Sequence, residues 1–157
     1  MSQFKIKLLS PTNFSEWELL LQKNIVRSFW GTQRWLKALE DERFIPKIMA
    51  IFKGNTPVGG MAVMASRSSF IRRGYSAVLA SYSPLVLQSG AKRKPQQEAE
   101  RVKMLDEMLH FAEAKFDYIS LSVSPENQEW RPFFHRGWQA QIQSNYWIPQ
   151  NINYRKL

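Results

Sequence analysis

Two apolar runs within residues 45–65, separated by the sequence GNTP at residues 54–57, limit the fold of this chain more than any other feature. The runs are rich in Ile, Val, Phe and Met, which favour β-strands, and the residues between them are typical of a tight turn. The sequence therefore predicts two antiparallel strands with a turn at residues 53–55. A fold that suits this chain has to place the hairpin within a sheet.

Apolar periodicity and turn residues predict the other elements. They are a strand at residues 4–8, a helix at about 13–23, a helix after Thr32, a strand at 76–87 after the hairpin, a helix from Pro95 to about Lys115, a strand at 118–123, a short helix at 129–136 and a last strand at about 139–148. Pro84 predicts a bulge or an edge position in the strand at 76–87, because proline donates no ladder hydrogen bond. The length of 157 residues fits one domain, so we expect a single α+β domain over residues 1–157.

Positive charge is concentrated in one part of the sequence. The net charge is +9, and residues 43–97 contain nine Lys and Arg but no Asp or Glu. The remaining 102 residues hold 13 basic and 13 acidic side chains, so the whole excess lies in this segment. Charge confined to one segment produces a local potential that attracts anions. The segment indicates a negatively charged partner without identifying it.

The composition also excludes several kinds of site. The chain has no Cys, which rules out disulfides, thiolate zinc sites and a Cys nucleophile, and which suits a reducing cytoplasm. Two distant histidines without clustered carboxylates give a metal site almost no support. No run approaches the ~20 apolar residues of a membrane span, and the apolar run near the N-terminus is too short for a signal peptide. We therefore expect a cytoplasmic protein with no membrane span.

The order of the predicted elements resembles that of the GNAT acyltransferase fold. The sequence IFKGNTPVGG at residues 51–60 is similar to that fold's hairpin, in which a V-G pair leads into the next strand. The sequence RPFFHRGW at residues 131–138 resembles its closing F-Y-x-x-x-G-F signature. The resemblance implies an α/β/α layered arrangement, with a mixed central sheet of about six to seven strands flanked by helices. It also implies transfer of an acyl group to an amine.

Within that superfamily the chain looks most like the N-terminal half of a FemAB-type (methicillin resistance protein-like) transferase. Phe29 and the pair Trp35 and Leu36 are similar to that family's sequence at this point. Members usually carry two such domains in tandem, and the peptidoglycan branch moves an amino acid from a charged tRNA to a lipid-linked cell-wall precursor. The resemblance therefore implies acyl-CoA or aminoacyl-tRNA as the donor. It leaves two alternatives for the chain, a stand-alone variant or the first half of a protein that continues into a second GNAT-like domain.

The resemblance further implies a phosphate-binding loop just before the long helix. GNAT domains hold the pyrophosphate of coenzyme A on backbone N–H groups at this point, as the N-termini of helices do for anions in general. The usual pattern starts with Gln or Arg and has Gly three residues later. Here Gln88 has Ala91 at that position, and the glycine is Gly90, one place early. The broken pattern favours the FemAB type, whose donor is often not coenzyme A.

Two groups of residues are candidates for phosphate binding. The first comprises Gln88, Ser89, Gly90, Lys92, Arg93 and Lys94 before the long helix, and the second comprises Arg67, Arg72 and Arg73 before the third strand. Each group is either a solvated loop or part of a ligand site. If both lie on one rim, the candidate ligand is a nucleotide, a tRNA or a pyrophosphate-linked lipid precursor.

No catalytic acid or base stands out in the sequence. Many GNAT enzymes use a Tyr in the late F-Y position to protonate the leaving thiolate, but Phe133 and Phe134 occupy that position here. Tyr82 and Tyr118 are the nearest phenols in sequence, and such residues more often serve packing. Three interpretations stay open: a transferase, a non-catalytic GNAT-like module that binds RNA or another anion, and a purely structural domain.

Overall fold

A mixed sheet lies between two layers of helices in the computed structural model, which describes residues 3–23, 29–68, 70–76, 80, 82–124 and 129–141. The strands within these residues are β1 (Phe4–Leu9), β2 (Phe44–Lys53), β3 (Thr56–Ser66), β4 (Arg73–Tyr75), β5 (Leu85–Leu87) and β6 (Tyr118–Ser120). The helices are α1 (Glu16–Lys23), α2 (Gln33–Ala38), α3 (Lys94–Lys115) and α4 (Arg131–His135). None of the helices in the described part of the chain is long and apolar enough to cross a membrane.

The predicted hairpin is confirmed as β2 and β3, which form the centre of the sheet. Their turn contains Gly54 with a φ of +62°, a left-handed conformation that glycine adopts without steric cost. β1 pairs antiparallel with the outer edge of β2. The strand order is β1-β2-β3-β4-β6, and β5 also pairs with β3.

The strand predicted at residues 76–87 is wrong in its bounds, because β4 ends just before this range and β5 covers only its last three residues. β4 pairs with β3 through Met64 and Ala65, whereas β5 pairs with it through Gly59, Gly60 and Met61. Only two residues of β3 lie between these pairings, but nine residues of the chain separate β4 from β5. A continuous β-ladder cannot accommodate the additional residues on the side opposite β3. Pro84 also lacks the backbone N–H that a ladder hydrogen bond needs.

Each face of the sheet carries its own apolar core. Phe14, Trp17, Leu20, Leu21 and Leu36 pack with one face, and Met104, Leu105, Met108, Leu109 and Ala112 of α3 pack with the other. Trp17 is fully buried and its indole N–H donates to the carbonyl oxygen of Gly31 at 2.7 Å. Because β2 and β3 are covered on both faces, their sequences are apolar along most of their length.

The predicted helices are confirmed with small changes at their ends. The first begins at Glu16 rather than near residue 13, because Pro11–Asn13 form a separate 3-10 turn. The second is capped by Thr32, whose side-chain oxygen accepts a hydrogen bond from the Trp35 N–H at 3.3 Å. α4 is followed by Gly137 with a φ of +74°, as expected for a glycine after a helix.

Two further predictions fall at the C-terminal end of the described residues. The strand predicted at 118–123 ends earlier, because β6 covers Tyr118–Ser120 and only an isolated bridge continues at Val123. Most of the last strand, predicted at about 139–148, lies outside the described residues. Gln139, Ala140 and Gln141 are described and form no strand.

The close approach of β5 explains the glycine at position 59 in the Val-Gly-Gly sequence near the start of β3. A Cβ atom on Gly59 would lie 2.2 Å from the carbonyl oxygen of Val86, which belongs to the backbone of the paired strand β5. We therefore expect Gly59→Ala to lower the free energy of unfolding by about 1–3 kcal/mol, because β5 has to move away. Denaturant unfolding measures this change. Gly90→Ala is the control, since open space surrounds that position, and an equal loss in both variants would contradict the explanation.

Candidate functional site

The segment that contains β4 and β5 contacts the strand at Tyr118, β6, over only part of its length. β4 and β6 pair in parallel from Arg73 and Tyr118 to Tyr75 and Ser120. The contact continues with Ser83, which bridges Val123 and whose N–H donates to the Ser122 carbonyl oxygen at 2.8 Å. β5 follows directly but pairs only with β3 among the described residues. The described pairing of the two segments therefore ends at this bridge, and β5 continues along β3.

Two serines at this junction differ in how their hydroxyls are satisfied. The Ser76 hydroxyl accepts a hydrogen bond from the Ser122 N–H at 2.6 Å and donates to the Ser122 carbonyl oxygen at 3.4 Å. The Ser83 side chain is 1% exposed, and its hydroxyl has no hydrogen-bond partner in the described part of the chain. Sequence reasoning missed this residue, because nothing in the sequence shows which hydroxyl is buried without a partner.

The loop predicted to bind phosphate connects β5 to α3 and folds against its surroundings. The Gln88 N–H donates to the Val58 carbonyl oxygen at 2.8 Å, which extends the pairing with β3. The Ala91 N–H donates to the Ser89 hydroxyl oxygen at 3.1 Å, and the Gln97 side chain donates to the Ala91 carbonyl oxygen at 2.9 Å. These contacts hold residues 88–91 against the first turns of the helix.

A carboxylate from α3 occupies part of this loop. Glu100 accepts a hydrogen bond from the Ser89 hydroxyl, and it forms an ion pair with Lys53 at 2.6 Å. The hydrogen bond from Lys53, followed by that from Ser89, lowers the pKa of the Glu100 carboxyl below its ordinary value. An ionised carboxylate therefore holds the Ser89 hydroxyl in the loop that the sequence predicts to bind phosphate. Sequence reasoning missed Glu100, which lies outside the loop.

A shallow groove of about 380 Å³ lies beside the same loop. One wall is the face of α1 that carries Glu16, Leu19 and Lys23, and the opposite wall is the start of β3. Gln88, Ser89 and Gly90 close one side of it. The loop is thus open to an elongated ligand on the α1 side, and this ligand would meet both apolar and charged groups.

The two basic clusters do not share a rim. Lys92, Arg93 and Lys94 lie at the start of α3, whereas Arg72 contacts the Ala114 carbonyl oxygen and Asp117 at its far end. About 20 residues of helix separate these positions, which corresponds to ~30 Å. The hypothesis of a single basic rim is therefore wrong, because α3 holds the two loops at opposite ends of the domain.

The two basic clusters also differ in how much of their positive charge is neutralised by ion pairs. Arg67 forms an ion pair with Glu40 and Arg72 forms one with Asp117, each at 2.6 Å. Arg73, the first residue of β4, is exposed. The three cations at the start of α3 are all exposed and form no ion pair with a described residue. The uncompensated positive charge of the segment is therefore greatest beside the loop at residues 88–91.

The candidate phenols and the residues of the closing signature do not form a catalytic pair. Tyr118 is 53% exposed and its ring packs on Tyr75, while Tyr82 is half-buried. Phe133 packs against Trp138, and Phe134 is 64% exposed. Among the described residues, no cluster of three His, Asp or Glu side chains is placed to hold a metal ion.

Comparison with solved structures identifies the fold. A ribosomal-protein-alanine N-acetyltransferase from Brucella melitensis biovar Abortus 2308 is 16% identical, with 93% of this chain and 98% of that chain covered and a TM-score of 0.50. An aminoglycoside acetyltransferase from an uncultured soil metagenomic sample, in complex with sisomicin, is 13% identical, with 94% and 97% covered and a TM-score of 0.48. No protein-family model and no curated protein matches the sequence. The chain has the GNAT acetyltransferase fold, as the Brucella structure and the sheet topology show.

Replacement of Glu100 should open the loop to phosphate. We expect Glu100→Gln to strengthen the binding of inorganic pyrophosphate by about tenfold, because a like charge is removed from the loop's own donors. Glu98→Gln is the matched control, since it removes the same charge two residues earlier on an exposed side chain. Isothermal titration calorimetry at low salt measures both. An equal gain in the two variants would assign the effect to net charge rather than to the loop.

The Arg72–Asp117 pair should make stability depend on pH in the acid range. The hydrogen bond from Arg72 lowers the pKa of Asp117 from 3.8 to about 2. A lowered pKa means that the stabilisation is complete above pH 3.8 and is lost as the pH falls toward 2. We therefore expect the Tm difference between wild type and Asp117→Asn to shrink over this range. In an Arg72→Gln background the difference should be smaller at every pH, and an unchanged difference would contradict the assignment.

Proposed function

We propose that this chain is a transferase domain that moves an acyl group from an activated donor to an amine acceptor. The observation that carries the proposal is the change of strand partners next to the loop that leads into α3, where β4 pairs with β6 and β5 pairs with β3. The GNAT fold supports it, because the Brucella protein of that fold is named as an N-acetyltransferase. Transfer to an amine is therefore the reaction class to test first.

The reaction itself needs few groups from the protein. The nitrogen of a neutral amine attacks the carbonyl carbon of a thioester, the C–N bond forms, the C–S bond breaks, and the thiolate leaves with the proton that the amine loses. Orientation of the two reactants and hydrogen bonds to the carbonyl oxygen supply most of such an acceleration. This agrees with a described site in which Tyr82 and Tyr118 form no catalytic pair.

The identity of the acyl donor is the more specific part of the proposal. Acetyl-coenzyme A is the donor that the named activity of the Brucella protein suggests. Its diphosphate would compete with Glu100 for the Ser89 hydroxyl, so we expect weak binding by the wild-type protein. A cytoplasmic location and a second GNAT-like domain stay predictions.

A second candidate function is favoured by the uncompensated charge at the start of α3. Lys92, Arg93 and Lys94 are exposed beside a loop whose donors are held by a carboxylate. This arrangement suits contacts to a phosphate backbone outside the loop more than a diphosphate inside it. The candidate is recognition of RNA, either without catalysis or, in the FemAB type, as binding of aminoacyl-tRNA for transfer to a cell-wall precursor.

Titration with two ligands separates these candidates. If the chain is an acetyltransferase, acetyl-coenzyme A binds with an affinity that changes little between low and moderate salt, and radiolabelled acetyl groups appear on an amine acceptor. If it recognises RNA, tRNA binds instead, and its affinity falls steeply with salt. Replacing Lys92, Arg93 and Lys94 by Gln should then reduce the slope of log K against log salt by about 2–3.

A control variant for the RNA experiment lies at the other end of α3. Arg67→Gln removes one cation that already pairs with Glu40, so it should leave both ligand titrations almost unchanged. Binding of neither ligand would contradict the transferase proposal and the RNA alternative together.

A further inference from the structure

A second groove lies at the end of the domain opposite the start of α3. It has a volume of about 370 Å³, and its walls are the residues before β2, the connection from β3 to β4 and the first residue of β4. Two of its wall residues are large, apolar and open to solvent, since Phe70 is 95% exposed and Ile71 is 46% exposed. Single apolar residues are common on protein surfaces, but two that adjoin a groove are typical of a contact site.

Hydrogen bonds fix the backbone that carries these two side chains. The Ser66 hydroxyl donates to the Ile71 carbonyl oxygen at 3.1 Å and accepts from the Arg73 N–H at 2.9 Å. The Phe70 N–H donates to the Ser68 hydroxyl oxygen at 3.3 Å. The apolar side chains are therefore held in an exposed position, and a molecule that covers them has little backbone to order.

Most of the cations at this end of the domain are compensated by acids. Arg67 and Arg72 are in the ion pairs with Glu40 and Asp117 described above. The pKa of Asp41 is lowered by hydrogen bonds from neighbouring backbone N–H groups and further by the charges of Arg43 and Arg67, so Asp41 is ionised beside these arginines. A polyanion is therefore attracted to the start of α3 rather than to this groove.

Two charges of opposite sign remain on opposite sides of the groove. Glu42 precedes β2 and Arg73 begins β4, and β3 lies between these two strands, which sets the sides ~10 Å apart. Both side chains are exposed, and neither forms an ion pair with another described residue. An apolar centre with an acid on one side and a cation on the other is complementary to a copy of itself rotated by 180°.

We propose that this groove, together with Phe70 and Ile71, is the contact surface for a second copy of this chain. In a two-fold arrangement the Phe70 side chains pack at the centre, and Glu42 of each protomer lies against Arg73 of its partner. The arrangement also keeps the two basic starts of α3 apart, because each lies at the far end of its own domain. This separation matters for a chain with a net charge of +9, since like charges repel.

The first test removes the apolar centre. Sedimentation equilibrium over about a hundredfold range of protein concentration should show a reversible dimer of the wild-type chain. Phe70→Ser should weaken the dimer by about a hundredfold, because each protomer loses an aromatic anchor. Phe134→Ser is the matched control, since Phe134 is also exposed but lies on α4, which packs against α3 on the other face of the sheet. It should leave the dimerisation constant unchanged.

The second test exchanges the two charges. Glu42→Arg and Arg73→Glu should each weaken the dimer by about tenfold, because two attractive contacts per dimer become repulsive. An equimolar mixture of these two variants should associate as strongly as wild type, since the mixed dimer has an attractive pair at both contacts. A charge effect away from the interface would not produce this recovery.

Three results would overturn the proposal. The first is a wild-type chain that is monomeric at every concentration. The second is a Phe70→Ser variant that keeps the wild-type Tm and dimerises as strongly as wild type, and if this variant does not fold the charge exchange decides. The third is a mixture of Glu42→Arg and Arg73→Glu that associates no more strongly than either variant alone. None of these measurements uses a donor or an acceptor, so their outcome is independent of the proposed transfer reaction.

Discussion

The pairing of β3 with two successive strands along one side is the constraint on which the rest of the structure depends. β4 takes the C-terminal part of that side and β5 takes the N-terminal part, where Gly59 lets the backbone of Val86 approach closely. β4 also pairs with β6, whereas the described partner of β5 is β3 alone. The junction at Ser83, the loop after β5 and the start of α3 all take their positions from this change of partner.

Features encoded within one segment were predictable from the sequence. The turn at Gly54, the helix that begins near Pro95 and the glycine after α4 each follow from local backbone chemistry, and the structure confirms them. The bounds of the strand predicted at residues 76–87 were not predictable in this way. They depend on a mismatch in length between β3 and the chain opposite it, which is a relation between two segments that no single segment contains.

The candidate site was predictable in its location but not in its chemistry. The resemblance placed an anion-binding loop before α3, and the structure has a loop there. The acidic residues that neutralise part of the charge of residues 43–97 lie outside that segment. Glu100 forms an ion pair with Lys53, and Glu40 and Asp117 form ion pairs with arginines of the segment. A stretch of sequence without acids is therefore not a surface without acids, and the uncompensated charge is greatest at the start of α3.

The dipole of the long helix α3 is aligned with the uneven distribution of charge between the two ends of the domain. Its backbone dipole is positive at the end where Lys92, Arg93 and Lys94 lie, so the fixed dipole and the side-chain charges point the same way. The field of a polyanion or of a charged surface exerts a torque on a domain with such a charge distribution. In solution the domain would therefore turn during an encounter, so that the start of α3 approaches an anionic molecule before any contact is made.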